Sequence, residues 1–292
     1  MNTPTTAPVV GFIGLGDQGA PMARAVADSP FPLRVWARRS ASLDAVAGSP
    51  HTVDPSPAAL GAASDIVLLV LRDDADVEGI LTDGGLLNAM RPGSIVVNHG
   101  TGDPQTARRF AALAADRDIA FLDAPVSGGG PGAEARSLTT IVGGDHDAFT
   151  AAEPVFDTFS DSVVFMGASG AGQQAKLLNN ALTMTNLRNA EQVFAMAGST
   201  GIDVAALQRL LATSSGGSFI IQALGTQITP ALAPHLQGLM RKDIEHFADA
   251  LGRLGADVTD LRNRGLAGAD GLIAVTELLS VLPAQAERSR RE

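Results

Sequence analysis

The chain has 292 residues, 45% of them hydrophobic, which suits two domain cores, and no run approaches the roughly 20 apolar residues of a membrane span. A net charge of -10 opposes nucleic acid and anionic membranes, so a bound anion must be held by local groups. No cysteine and no tyrosine occur, and His51, His99, His146, His235 and His246 lack paired metal-ligand spacing. That excludes disulfides, thiolate chemistry and a phenolic proton donor, and no metal site is expected.

The opening stretch Met1-Asn2-Thr3-Pro4-Thr5-Thr6 has neither the basic nor the apolar region that directs export, so the expected location is cytoplasmic. Val9 to Gly14 reads as a buried strand, after which Gly14-x-Gly16-x-x-Gly19 opens a helix with Met22, Ala23 and Val26 on its apolar face. This is the strand-turn-helix context of a dinucleotide fingerprint. The first glycine permits the turn, the second admits a pyrophosphate, and the third lets helix and strand pack, with the helix N-terminus offering N–H groups. A second strand, Leu33 to Trp36, ends where a ribose contact is expected. In place of the acid that favours NAD stand Ala37-Arg38-Arg39-Ser40, two guanidiniums and a hydroxyl suited to a 2′-phosphate. NADP is therefore the expected cofactor, with NADPH preferred over NADH; a solvated loop is the plainer reading of the same residues.

Asp65 to Leu71 and Ser94 to Asn98 read as buried parallel strands with helical stretches between them. Ligands of open α/β sheets bind beyond the carboxyl ends of strands, which makes Thr101 and His99 candidates, His99 the weaker because no orienting partner is visible. Phe121 to Val126 is a further strand. Ser127-Gly128-Gly129-Gly130-Pro131-Gly132 then forms a glycine-rich turn, either an anion-binding nest for a carboxylate or a hairpin connection to a returning strand, Leu138 to Val142. Ser162 to Met166 completes the first domain.

Beyond this point almost everything reads as helix. Gln173 to about Met196 is a long helix on which Lys176 and Asn180, four positions apart, share a face with Asn179 beside them. The apolar flanks Leu177, Leu178, Ala181 and Leu182 threaten an ammonium with desolvation, which lowers a lysine pKa and makes proton transfer possible near neutrality; a solvated lysine is the plainer reading. The chain has two lysines, Lys176 and Lys242. Val204 to Leu211, His235 to Leu254 and Leu272 to Leu282 extend the helical pattern, and the charged end Arg288 to Glu292 is expected to be disordered. The expected fold is α/β: an N-terminal Rossmann-type doubly wound sheet over 1–168, then an all-α domain over 169–292, joined by the long helix.

Taken together, these motifs resemble the β-hydroxyacid dehydrogenase family, the 3-hydroxyisobutyrate dehydrogenase-like group, over nearly the whole chain. Gly11 to Gly16 and Gly19 to Ala23 resemble its cofactor signature, Asp123 to Gly129 its substrate signature, Gly170 to Asn180 its catalytic signature, and Lys242-Asp243 its second-domain pair. The resemblance implies Lys176 as general acid/base, Asn180 as a substrate ligand, and Ser127, Gly128 and Gly129 as a carboxylate cradle. It also implies cofactor contacts at Leu71, Thr101 and Lys242, and a homodimer. The sequence departs from the family at Gln18 (usually methionine), Arg72 (proline), Gly100 (serine) and Arg136 (glycine), and Asp257-Val258-Thr259-Asp260 departs from its usual apolar, proline-containing pattern. The function implied is NADP-linked interconversion of a small β-hydroxyacid and its carbonyl, with a small carboxylate as partner. An imine reductase of the same fold and a non-catalytic cofactor-binding protein are the alternatives, both opposed by Lys176.

Overall fold

The computed structural model describes the backbone of residues 7–289 and the side chains of residues 7–280. Residues 1–6, on which the expectation about export rests, and 290–292 of the charged end lie outside the described residues. Strands β1 (Val10–Ile13), β2 (Leu33–Trp36), β3 (Thr52–Val53), β4 (Ile66–Leu69), β5 (Ile95–Asn98) and β6 (Ala120–Asp123) run parallel in the order β3-β2-β1-β4-β5-β6. Every residue of β1, β4 and β5 is buried, as a strand covered by helices on both faces requires. Period-two alternation sends Phe12, Leu68 and Val97 into the core on one face and Ile13, Leu69 and Val96 into the core on the other. Helices α1 (Gly19–Ala27), α2 (Pro57–Ala62), α3 (Asp74–Leu81), α4 (Leu86–Ala89) and α5 (Pro104–Ala115) make the crossovers. Their starts follow local chemistry: the side chains of Ser56, Asp73 and Asp103 accept first-turn N–H groups, and Pro57 and Pro104 stand where no donor is needed.

After β6 the direction reverses. β7 (Val126–Ser127) is followed by a short helix, α6 (Gly129–Glu134), then β8 (Leu138–Gly143), α7 (His146–Phe156) and β9 (Ser160–Gly167). β8 runs antiparallel to β6 and β7, and β9 parallel to β8. The glycine stretch is thus a connection between antiparallel strands, but one that coils into a helix instead of remaining a turn. Gly128 and Gly129 enter it at φ 129° and 63°, two successive left-handed residues that favour glycine. Arg136, where the family carries glycine, also has positive φ, 56°, and its guanidinium pairs with Asp28.

The chain divides into two compact units, the first ending at Lys176 and the second starting at Leu177, eight residues beyond the boundary read from sequence. The division falls within α8 (Ala171–Ser199). The second unit contains α9 (Val204–Ala212), α10 (Phe219–Ala223), α11 (Ala233–Arg253) and α12 (Thr259–Ser289), with one isolated bridge between Leu224 and Ile228. Its core is built from α8, α11 and α12 through Leu187, Phe194, Ile244, Phe247 and Leu272. α12 begins well before the expected Leu272 and continues through Ser289. A Cβ at Gly265, Gly268 or Gly271 would stand 2.5, 2.0 or 2.4 Å from Ile244, Met184 or Glu191, so these glycines permit close helix packing and do not end the helix. No helix among the described residues is long and apolar enough to cross a membrane.

Candidate active site

A cavity of about 570 Å³ opens at the carboxyl ends of β1, β2 and β4, lined by Gly14, Gly16, Gly19, Arg38, Arg39 and Leu71 among others. Six of the candidate cofactor residues therefore meet in one place. Whether a dinucleotide fits is decided by the glycines. A Cβ at Gly14, where φ is 107°, would stand 2.0 Å from the Val70 carbonyl oxygen, and one at Gly19 would stand 1.8 Å from that of Gly14. At Gly16 it would meet nothing within 4 Å. Two glycines thus close the turn against protein and the middle one faces open space, the division of labour that a pyrophosphate needs. Gln18 at the start of α1 forms no side-chain cap and the first turn of the helix carries no acid, while Asp17, just before it, lines the cavity. Gly16→Ala is accordingly expected to leave the melting temperature unchanged while weakening nicotinamide cofactor binding. Gly19→Ala should destabilise the fold by roughly 1–3 kcal/mol through overpacking. Thermal unfolding and cofactor titration of the two variants separate these outcomes.

At the ribose end, Arg38 Nη1 lies 3.2 Å from Asp76 Oδ1. Arg72, one of the departures from the family, lines the same cavity, lies 3.0 Å from Asp73 Oδ2 and 3.7 Å from Asp76 Oδ2, and its pKa is raised, chiefly by the hydrogen bond to Asp73. The 3-10 turn Ser40–Val46 carries Ser42 to the cavity wall.

The loop after β5 packs against the loop after β4. A Cβ at Gly100 would stand 2.8 Å from the Leu71 carbonyl oxygen, which gives a local reason for glycine where the family carries serine. Thr101 is half-buried beside it. The Ser127–Gly129 segment lies alongside the fingerprint loop: a Cβ at Gly130 would be 3.5 Å from the Asp17 carbonyl oxygen, and Arg24 of α1 pairs with Glu134 of α6 at 2.6 Å.

The first turn of α8 is anchored in the sheet. Asp123, fully buried at the end of β6, accepts the Gly170 N–H at 2.7 Å through Oδ1 and the Gln173 N–H at 2.9 Å through Oδ2. Burial pushes its carboxyl above the usual range, and the N–H groups of Gly170, Gln173 and Gly172 oppose that shift. Lys176 follows one turn later, half-buried. In the second unit, Asn180 is buried and its Nδ2 donates to Asp243 Oδ2 at 3.1 Å, while Lys242 is exposed on α11.

His99 takes a different place. It is 2% exposed, its Nδ1 donates to the Ala124 carbonyl at 2.7 Å, and Phe156 and Phe159 meet its ring edge-on at 5.5 Å. Burial lowers its pKa to about 4. It is a neutral core residue. Asp123 and Gln173 are what sequence reasoning missed as organising groups, because their partners are distant in the chain.

Residues 9–167 match the family model described as the NAD binding domain of 6-phosphogluconate dehydrogenase, and residues 170–263 the one described as NAD-binding of NADP-dependent 3-hydroxyisobutyrate dehydrogenase. The chain belongs to the β-hydroxyacid dehydrogenase family. It is 35% identical to the NAD-dependent L-serine dehydrogenase of Pseudomonas aeruginosa, over 73% of this chain and 72% of that one. Among solved structures it resembles the 3-hydroxyisobutyrate dehydrogenase of Mycobacterium tuberculosis with L-serine, at a TM-score of 0.80 and 26% identity over 93% and 94% of the two chains. It also resembles Psf3 in complex with NADP+ and 2-OPP, at 0.76 and 26% over 94% and 100%. As a β-hydroxyacid dehydrogenase family member the protein is an oxidoreductase with a nicotinamide-binding Rossmann domain, and the expected fold class is borne out.

Proposed function

We propose that the protein transfers a hydride between NADP(H) and a small β-hydroxyacid or its semialdehyde, with Lys176 as general acid/base. The observation that carries this reading is α8 itself: a helix start pinned by Asp123, then Lys176, then Asn180 four positions on with its amide held by Asp243. When bound at the glycine turn, the cofactor supplies or accepts the hydride at the substrate's carbonyl carbon. In reduction the Lys176 ammonium gives its proton to the developing alkoxide oxygen; in oxidation the neutral amine takes the hydroxyl proton. Asn180 orients the reacting oxygen, and Ser127, Gly128 and Gly129 hold the carboxylate. Gly14, Gly16, Gly19, Leu71, Thr101 and Lys242 hold the cofactor. Turnover of a panel containing L-serine, short β-hydroxyacids, their semialdehydes and cyclic imines, followed by nicotinamide absorbance, tests the reading. Activity confined to imines would overturn it.

NADP over NAD rests on Arg38 and Arg39 at the cavity wall and on the absence of an acid at Ala37. The Pseudomonas relative is named as NAD-dependent, so the two chains would differ in this preference. A charge-assisted contact to a phosphate contributes roughly 1.5–3 kcal/mol, enough for at least about a tenfold preference in kcat/KM. Arg38→Asp should reverse it. Because Asp76 competes with a phosphate for Arg38, Asp76→Asn should raise the preference further. Equal kcat/KM for NADPH and NADH in the wild type would count against the assignment.

A homodimer also belongs to this reading. Leu178, Leu182, Val193 and Met196 are 45%, 57%, 45% and 68% exposed, and on a helix of 3.6 residues per turn they form one stripe of α8. The core stripe of Leu177, Met184, Leu187 and Phe194 lies apart from it. A second copy would cover the exposed apolar stripe. Light scattering at micromolar concentration should give twice the mass of one chain, and a monomer would remove the claim.

A further inference from the structure

One side chain holds both flanks of Thr101. Gln173 is fully buried, its Oε1 accepts the Gly102 N–H at 2.8 Å, and its Nε2 donates to the Gly100 carbonyl at 2.7 Å. In a parallel ladder a strand neighbour does the same to a residue: it donates to the carbonyl before it and accepts from the N–H after it. The carboxamide thus replaces a peptide group beside Thr101, past the point where pairing of β5 ends with the Ala124 N–H on the Asn98 carbonyl at 2.8 Å. Asn98 Oδ1 accepts the Gly100 N–H at 3.0 Å and Asp74 Oδ2 the Asp103 N–H at 2.9 Å, which secure the two ends of the loop. The main-chain N–H of Gln173 is itself on Asp123, 2.9 Å away, so the carboxamide is placed by the anchor of α8. Lys176 lies three residues further along that helix.

We propose that Gln173 is a positioning residue, coupling the Thr101 loop to the helical turn that carries Lys176 and fixing one against the other. The consequence for catalysis rests on the proposed roles of Thr101 and Lys176; the holding of the loop does not. A misplacement of about 1 Å between reacting groups can cost about a hundredfold in rate, which is why a buried amide that sets the loop against the helix matters.

Gln173→Glu is the discriminating variant. As a carboxylate it accepts from Gly102 but sets an oxygen against the Gly100 carbonyl; as a neutral acid its O–H donates there and both bonds return. Burial beside Asp123 pushes such a group's titration upward, toward neutrality. Gln173→Met removes both bonds at every pH. Hydrogen exchange of the Gly102 amide and the NADPH dissociation constant are measured on the full chain at about pH 6 and about pH 8.5, each as a ratio to wild type at that pH. In Gln173→Met, exchange should quicken and NADPH binding weaken by roughly tenfold at both values. Gln173→Glu should weaken NADPH binding as Gln173→Met does at the higher pH, keep Gly102 better protected than in Gln173→Met because the carboxylate still accepts that N–H, and return to within about threefold of wild type at the lower pH. A role confined to packing lowers the melting temperature without that recovery. The proposal is overturned if Gln173→Glu shows the same NADPH ratio at both values, or if Gln173→Met binds NADPH and protects Gly102 as wild type does. Should Gln173→Met not fold, Gln173→Glu alone decides. A wild type that turns over no hydroxyacid would overturn the proposed function while leaving Gly102 exchange to judge the strap.

Discussion

Lys176→Met is expected to lower kcat on the best substrate by roughly 10²–10⁴-fold, the usual contribution of general acid/base catalysis, while NADPH affinity and melting temperature stay near wild type. Methionine approximates the length of the stem and keeps its apolar packing while removing the proton-carrying group. The pH dependence should have opposite signs in the two directions. Hydroxyacid oxidation needs the neutral amine and should accelerate toward alkaline pH, whereas carbonyl reduction needs the ammonium and should favour neutral or lower pH. Single-turnover kinetics would separate chemistry from product release. More than about a tenth of wild-type kcat remaining in a folded Lys176→Met protein would remove the mechanism.

The second large effect concerns stability. His99 has a folded pKa of about 4 against an ordinary 6.5, so between those values the unfolded chain binds a proton that the folded chain refuses. Stability must then rise with pH across this window and fall as pH falls, by about 2 kcal/mol from this group between pH 7 and pH 5. The cause is burial, with the ring enclosed by Phe156 and Phe159; the Ala124 carbonyl that accepts from Nδ1 opposes the shift without cancelling it. His99→Asn keeps an N–H donor near the position of Nδ1 and does not titrate. Urea unfolding at the two pH values should show the wild type losing about 2 kcal/mol more than the variant on acidification. An identical loss in both proteins would assign the acid sensitivity elsewhere.

What the amino-acid pattern disclosed follows from the range of the interactions concerned. Buried strands such as Ile66–Leu69 and the turn at Gly14, Gly16 and Gly19 are written in neighbouring residues, and the parallel sheet follows from strands alternating with helices. The candidate cofactor residues Arg38, Arg39 and Leu71 could be named for the same reason: each stands just past the end of a strand. The anchor of α8 could not. Asp123 meets Gly170 and Gln173 across 47 and 50 positions, and Gln173 reaches Gly100 across 73, with no periodicity to mark either contact. His99 was a candidate through its strand-end position, and the aromatic enclosure that neutralises it comes from a distant part of the chain. α12 begins earlier than the Leu272 expected from sequence, because Gly265, Gly268 and Gly271 fit against helices that are distant in the chain. The glycine-rich connection before β8 reads as a turn in the sequence, and in the structure Gly128 and Gly129 at positive φ lead into the helix α6.

The sinking of α8's first turn into the sheet bears on how the protein can be divided. A fragment ending at residue 168 would strip the Asp123 carboxylate of its Gly170 and Gln173 donors and leave the Gly100 carbonyl and the Gly102 N–H without the carboxamide. Each buried group so orphaned costs about 1–3 kcal/mol, and several together consume much of a domain's usual margin of about 5–15 kcal/mol. A self-standing N-terminal piece therefore has to retain the turn through Lys176. The lysine is in this sense inherited with the nucleotide-holding half, and recombination that replaced everything after it would exchange Asn180 and Asp243 for another protein's residues while leaving the amine in its original setting.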